Sequence, residues 1–174
     1  MNRLKGFIYG LATSVTFGLI PLFTLPLMQG GMSLDSILFY RFLFATLALA
    51  GMMKLHKEPF GIEGRDIPFL LLLAGFYTAS ALFLFWGYDF MGAGVATTLH
   101  FTYPVFVTLL MLVLFRERAS WVTWAAIVLA IYGVAKLSLK GGELVLDPMG
   151  MVIVLLSAVG YASYITTVNK SRVR

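Results

Sequence analysis

The chain of 174 residues has no cysteine, two histidines and little charge, with Asp, Glu, Lys and Arg making up 12% of it. Without cysteine there is no disulfide, no thiolate nucleophile and no thiolate metal site. One histidine, His56, lies between Lys54 and Lys57 in a charged segment, so a dedicated metal site is not expected. H-E-x-x-H, the phosphate-cradling G-x-x-x-x-G-K and the G-x-S-x-G elbow are all missing, and no carboxylate pair falls inside an apolar run. Gly92-Ala93-Gly94 lacks the third glycine and the preceding strand of a dinucleotide loop. Neither an enzyme nor a cofactor is expected. What fills the chain is apolar: 60% hydrophobic residues and a mean hydropathy of +0.90, which excludes a water-soluble globule. The net charge of +5 would suit nucleic acid, but the basic residues are scattered between uncharged runs and form no stripe. The expected partner is the lipid bilayer, not nucleic acid.

A bilayer crossing takes about 20 mostly apolar residues. Runs of that kind predict six transmembrane helices at 6–28, 34–53, 67–89, 94–115, 119–138 and 148–169, an all-α integral membrane fold. The loops are short and rich in turn formers, among them Gln29-Gly30-Gly31, Gly92-Ala93-Gly94 and Lys140-Gly141-Gly142. With the N-terminus in the cytoplasm, ten of the thirteen basic residues fall on the inner side and only Lys136 and Lys140 outside. That bias predicts a multi-pass protein of the plasma (inner) membrane with both termini cytoplasmic. Trp121 and Trp124 are then expected at the inner interface, Trp86 and Tyr88 near the outer one. The first apolar run is longer than a signal-peptide core and shows no clear small-residue cleavage site, so it is read as a retained span.

Shifting the chain by 144 positions lays the last span over the first. Gly6 meets Gly150, Leu11 meets Leu155 and Val15 meets Val159, with Thr13/Ser157, Phe17/Tyr161 and Gly18/Ala162 similar. Five spans separate the two starts, an odd number, so the copy enters the membrane from the opposite face. Such inverted repeats are an architecture in which secondary transporters hold substrate near the midplane.

Several segments together resemble the EamA-like drug/metabolite transporter superfamily. They are Tyr40-Arg41-Phe42-Leu43-Phe44-Ala45, with an arginine opening an apolar helix, then 93–98 leading into Tyr103-Pro104-Val105-Phe106, then Phe115-Arg116-Glu117-Arg118 and the helix containing Gly133. The resemblance implies ten helices in two inverted five-helix repeats and transport of small-molecule metabolites, often as efflux by alternating access. On that basis 1–140 is a first five-helix EamA-like repeat. Residues 148–174 are then the first helix of an incomplete second repeat, so the chain is expected to be truncated and to need the missing repeat or a second copy (a dimer). The alternative from another class is a non-transporting membrane interaction or assembly protein.

Arg41 is the sharpest single feature, because a guanidinium inside a membrane helix usually faces protein or water. Three roles stay open for it: a structural charge pair with Asp89, snorkelling toward the interface six residues back at Asp35, or holding an anionic substrate group. Thr97, His100, Pro104 and Thr108 recur at three- and four-residue steps and predict a polar wall along one helix face. Pro104 frees a carbonyl near His100, and His100 is either a titrating group or a histidine hydrogen-bonded to a neighbouring helix. Thr13, Phe17, Tyr77 and Ser80 complete the pathway candidates. Pro21 and Pro26 make the second half of the first helix breakable. Gly6, Gly10, Ser14 and Gly18 form a small-xxx-small seam expected to pack another helix.

Overall fold

The computed structural model describes residues 3–58, 61–117, 119–140, 143–144 and 147–171, without the side chains of 3, 10, 14, 122, 137–140 and 143–144. The chain divides into two compact units, Met1–Phe44 and Ala45–Arg174.

The first unit holds α1 (Arg3–Gly18), α2 (Ile20–Gln29) and the opening of α3 (Leu34–His56). The first predicted span is thus two helices in series. Pro21 occupies the first turn of α2, where its missing N–H withholds the donor that would continue the α1 ladder. Leu19 N still reaches Val15 O at 3.1 Å and Phe23 N reaches Leu19 O at 3.4 Å, so the chain keeps its course through the break. Gly31, at φ +84°, closes the turn out of α2 in a conformation side chains resist. Ser33 Oγ then accepts the Ser36 N–H at 3.4 Å, satisfying an end group of α3.

The second unit continues α3 and follows it with a 3₁₀ turn (Gly64–Asp66), α4 (Ile67–Met91), α5 (Ala93–His100), α6 (Tyr103–Phe115), α7 (Trp121–Ser138) and α8 (Pro148–Lys170). Gly92, at φ +75°, turns α4 into α5. The predicted helix 94–115 is divided at Phe101–Thr102, because the helix restarts with Pro104 in its first turn. Ser120 Oγ accepts the Thr123 N–H at 3.2 Å ahead of α7, and Asp147 Oδ1 accepts the Gly150 N–H at 2.9 Å ahead of α8. Gly141 and Gly142 lie outside the described residues. Beside them β1 (Leu139–Lys140) pairs antiparallel with β2 (Glu143–Leu144), the one departure from helix and turn among the described residues.

Five helical stretches are long and apolar enough to cross a membrane: Leu4–Gln29, Leu34–His56, Gly64–Met91, Ala93–Phe115 and Pro148–Lys170. The predicted sixth, α7, is shorter, with 18 residues over Trp121–Ser138. Large apolar side chains stand outward along these helices, Phe7 at 70%, Trp121 at 80% and Leu55 at 82% exposure. Water would not tolerate such a surface, whereas hydrocarbon is its natural solvent. The fold is an all-α membrane protein.

In the second unit the core lies where α8 packs along α4 and touches α5 and α6. Phe85, Ala96, Leu99, Val154 and Ala158 are fully buried there.

Candidate functional site

Polar groups in the second unit are drawn into the contact between α4, α5 and α8. Ser80 of α4, His100 at the end of α5 and Ser157 of α8 are all buried. The Ser80 hydroxyl donates to the Ser157 carbonyl at 2.8 Å, and the Ser157 hydroxyl donates to the Ser80 carbonyl at 2.6 Å. Ser157 Oγ also lies 2.9 Å from His100 Nδ1. A serine has one hydroxyl proton, already given to the Ser80 carbonyl, so His100 Nδ1–H is the donor in this third bond. His100 is thus hydrogen-bonded to a neighbouring helix.

The helices approach closely because glycine occupies the crossing on both sides. A Cβ on Gly87 of α4 would come within 2.2 Å of Val154 Cγ2, and one on Gly150 of α8 within 2.5 Å of Phe90 Cβ. One on Gly160 would touch Ser80 Cβ at 3.4 Å. Close backbone approach is what small residues supply between helices in lipid, where apolar area alone does not favour association.

Beside the serines stands a group of tyrosines. The Tyr161 ring meets Tyr103 edge-on at 4.8 Å and His100 at 5.5 Å, while Tyr77 lies 5.3 Å from Tyr164 and 6.2 Å from Tyr161. Tyr88, expected as an interfacial ring, is instead buried, stacked on Phe85 at 5.3 Å with its hydroxyl 3.2 Å from Thr97 Oγ1. Thr97 supplies the polar partner that lets a phenol leave the interface.

The row Thr97, His100, Pro104, Thr108 is divided by the turn at Phe101–Thr102. Its first two members are buried, whereas Pro104 is exposed and Thr108 bonds back to the Pro104 carbonyl at 2.9 Å. Asp89 is exposed near the end of α4. Its expected partner Arg41 belongs to the first unit. Beyond α6 the backbone turns left-handed at Arg116, φ 54°, and Glu117 pairs with Lys170 at the end of α8. Lys170 also sits 4.9 Å over the Phe115 ring.

The first unit contains a different kind of site. A cavity of about 590 Å³ lies between α1, α2 and the opening of α3, with walls that include Ile20, Phe23, Thr24, Ile37, Phe44 and Arg41. Arg41 is half-buried, its guanidinium carbon 6.0 Å from the Phe42 ring centre. Thr24 is 4% exposed. Thr13 bonds to the Tyr9 carbonyl at 2.8 Å, and Phe17 is half-buried; neither lines the cavity, which Thr16 does. A Cβ on Gly18 would meet nothing within 4 Å, Gly6 is half-buried, and the side-chain positions of Gly10 and Ser14 lie outside the described residues. Among the described residues no group of three His, Asp or Glu side chains could hold a metal ion.

The model of the EamA-like transporter family matches residues 4–139, which takes in α1 through α7. The chain belongs to the EamA-like transporter family. No curated protein and no solved structure matches it. Membership makes this a multi-pass membrane protein of a transporter family, with a small molecule as the implied substrate. In this EamA-like chain α8 lies beyond the matched segment, yet it supplies Ser157, Tyr161 and Gly150 to the buried contact with α4.

Sequence reasoning placed Ser80, His100, Thr97 and Tyr77 among the pathway candidates without their partners. Ser157 and Tyr161 appeared only as counterparts of Thr13 and Phe17, and Tyr164 and Gly87 gave no isolated signal. The alignment of α8 with α1 was the clue that could have drawn attention to Ser157.

Proposed function

We propose that this chain is a secondary transporter, or part of one, that moves small metabolites outward by alternating access. The observation carrying this reading is the pair of interruptions, at Leu19 and at Phe101–Thr102, each followed by a proline in the next helix's first turn. Discontinuous helices inside a bilayer release backbone groups that a substrate or coupling ion can use, and they give a rocking bundle places to bend. Family membership supports the class. In this reading 1–140 is one five-helix repeat and α8 opens a second, inverted one. The likeness of α8 to α1 supports that division, and transport then draws on a complete second repeat or on a second copy. The distribution of Lys and Arg supports both tails in the cytoplasm at the inner (plasma) membrane.

The test is flux. The full chain, reconstituted in liposomes and expressed in cells, is screened for release of a panel of labelled metabolites, with phosphatase and fluorescent-protein fusions reporting the side of each tail. Substrate-saturable release and two cytoplasmic tails are expected. A stably folded protein without flux for any panel member would favour a non-transporting assembly role, and tails on opposite sides would remove the inverted-repeat reading.

A further inference from the structure

The cavity of the first unit has the size and make-up of a ligand site, and its chemistry is lopsided. At about 590 Å³ it falls within the range of small-molecule pockets, and nearly all of its wall is hydrocarbon and aromatic ring. One formal charge interrupts that wall, the Arg41 guanidinium, and no Asp or Glu is among the lining residues. Tyr40 and Phe44, stacked at 6.3 Å one helical turn apart, flank Arg41 on the same wall. The lining also includes the buried Thr24 and the first residue of α2, Ile20.

We infer that this cavity binds a small amphipathic organic anion, with its apolar body against Phe23, Ile37 and Phe44 and its anionic group on Arg41. The physical reason is complementarity. A guanidinium offers five donors in a planar fork that matches a carboxylate or sulfonate. In surroundings of low dielectric the same charge repels a cation and gains little from a neutral ligand. The apolar wall rejects a compact hydrated anion, because nothing there replaces the water such an ion would lose. An amphiphile meets both demands. That this ligand is the transported substrate rests on the transporter reading; that it binds does not.

The experiment compares three probes of one shape on the full chain in nanodiscs of zwitterionic lipid: naphthalene-2-sulfonate, the neutral 2-naphthalenemethanol and the cationic 2-naphthylmethylammonium, each followed by fluorescence titration. The sulfonate is expected to bind at least about tenfold more tightly than either of the others, the scale of a charge-assisted hydrogen bond. Arg41→Gln is expected to erase that preference and Arg41→Lys to keep part of it. The wild-type probe series needs no variant, so a misfolded Arg41→Gln protein leaves the inference exposed to test. Equal affinity for all three probes overturns it. So does a sulfonate preference that vanishes when phosphatidylglycerol is added to the nanodiscs, because the occupant is then an anionic lipid. Flux without anion preference removes this site and leaves the proposed function standing; anion preference without flux does the reverse.

Discussion

The two units of this chain handle the same apolar alphabet in opposite ways. In the second, α4 and α8 are pressed together until glycines meet side chains, and hydroxyls are exchanged between helices 77 positions apart in sequence. In the first, α1 and α2 run past α3 with a cavity between them, and the small residue Gly18 faces open space. Hydropathy is alike in both, since spans in each exceed the same threshold. The difference lies in which residues sit at the crossing. In lipid, proximity between helices is set by small side chains and interhelical hydrogen bonds, because burying another leucine gains little over leaving it in hydrocarbon.

Alanine at glycine positions breaks this contrast most sharply. Gly87→Ala places a methyl where Val154 already is, and Val154 is fully buried and stiff at χ1, so the cost is expected to be about 2 to 3 kcal/mol or loss of the fold. A fluorescence-detected size-exclusion melt in detergent should show a lowered midpoint or aggregation, and an unchanged melt would falsify the close crossing. Next in size, Ser157→Ala removes the donor to Ser80 and the acceptor of His100 together, for about 1 to 2 kcal/mol. The double variant with Ser80→Ala should cost less than the sum of the two single changes, as a shared network requires. Smaller and opposite in sign, Gly18→Ala in the first unit should be neutral or stabilising by about 0.5 kcal/mol, since the space is open and alanine is the better helix former. Thr166 Oγ1 is buried on α8 with no hydrogen-bond partner among the described residues, so Thr166→Val should stabilise the fold by about 1 kcal/mol at most, read as a slightly raised midpoint. A drop in stability there would mean that the hydroxyl has a partner.

Those magnitudes mark what the sequence made legible. The spans were visible because uncharged runs match the hydrocarbon thickness, and Pro21 and Pro26 marked the first span as breakable, since a missing donor acts locally. His100 and Ser80 stood out as polar atoms in apolar runs. Their meeting through Ser157 did not, because helices that are apolar all round carry no periodic signal saying which face meets which. Gly150 and Gly160 lie ten positions apart on α8 and were hidden by the same ambiguity, while the seam sought on α1 has at Gly18 no contact for a Cβ to make. The stripe from Thr97 to Thr108 assumed one uninterrupted helix, and the turn at Phe101–Thr102 sends its two halves into different surroundings. Arg41 could be singled out from charge alone, but the volume beside it depends on how α1, α2 and the opening of α3 come together.

The paired serine bonds also fix what α4 and α8 are able to do as machinery. Each hydroxyl grips the other helix's backbone, so a slide of one helical turn, about 5.4 Å, would break both attachments at once. The two rods therefore behave as a single girder. The attachment clamps the family-matched segment to the helix that follows it.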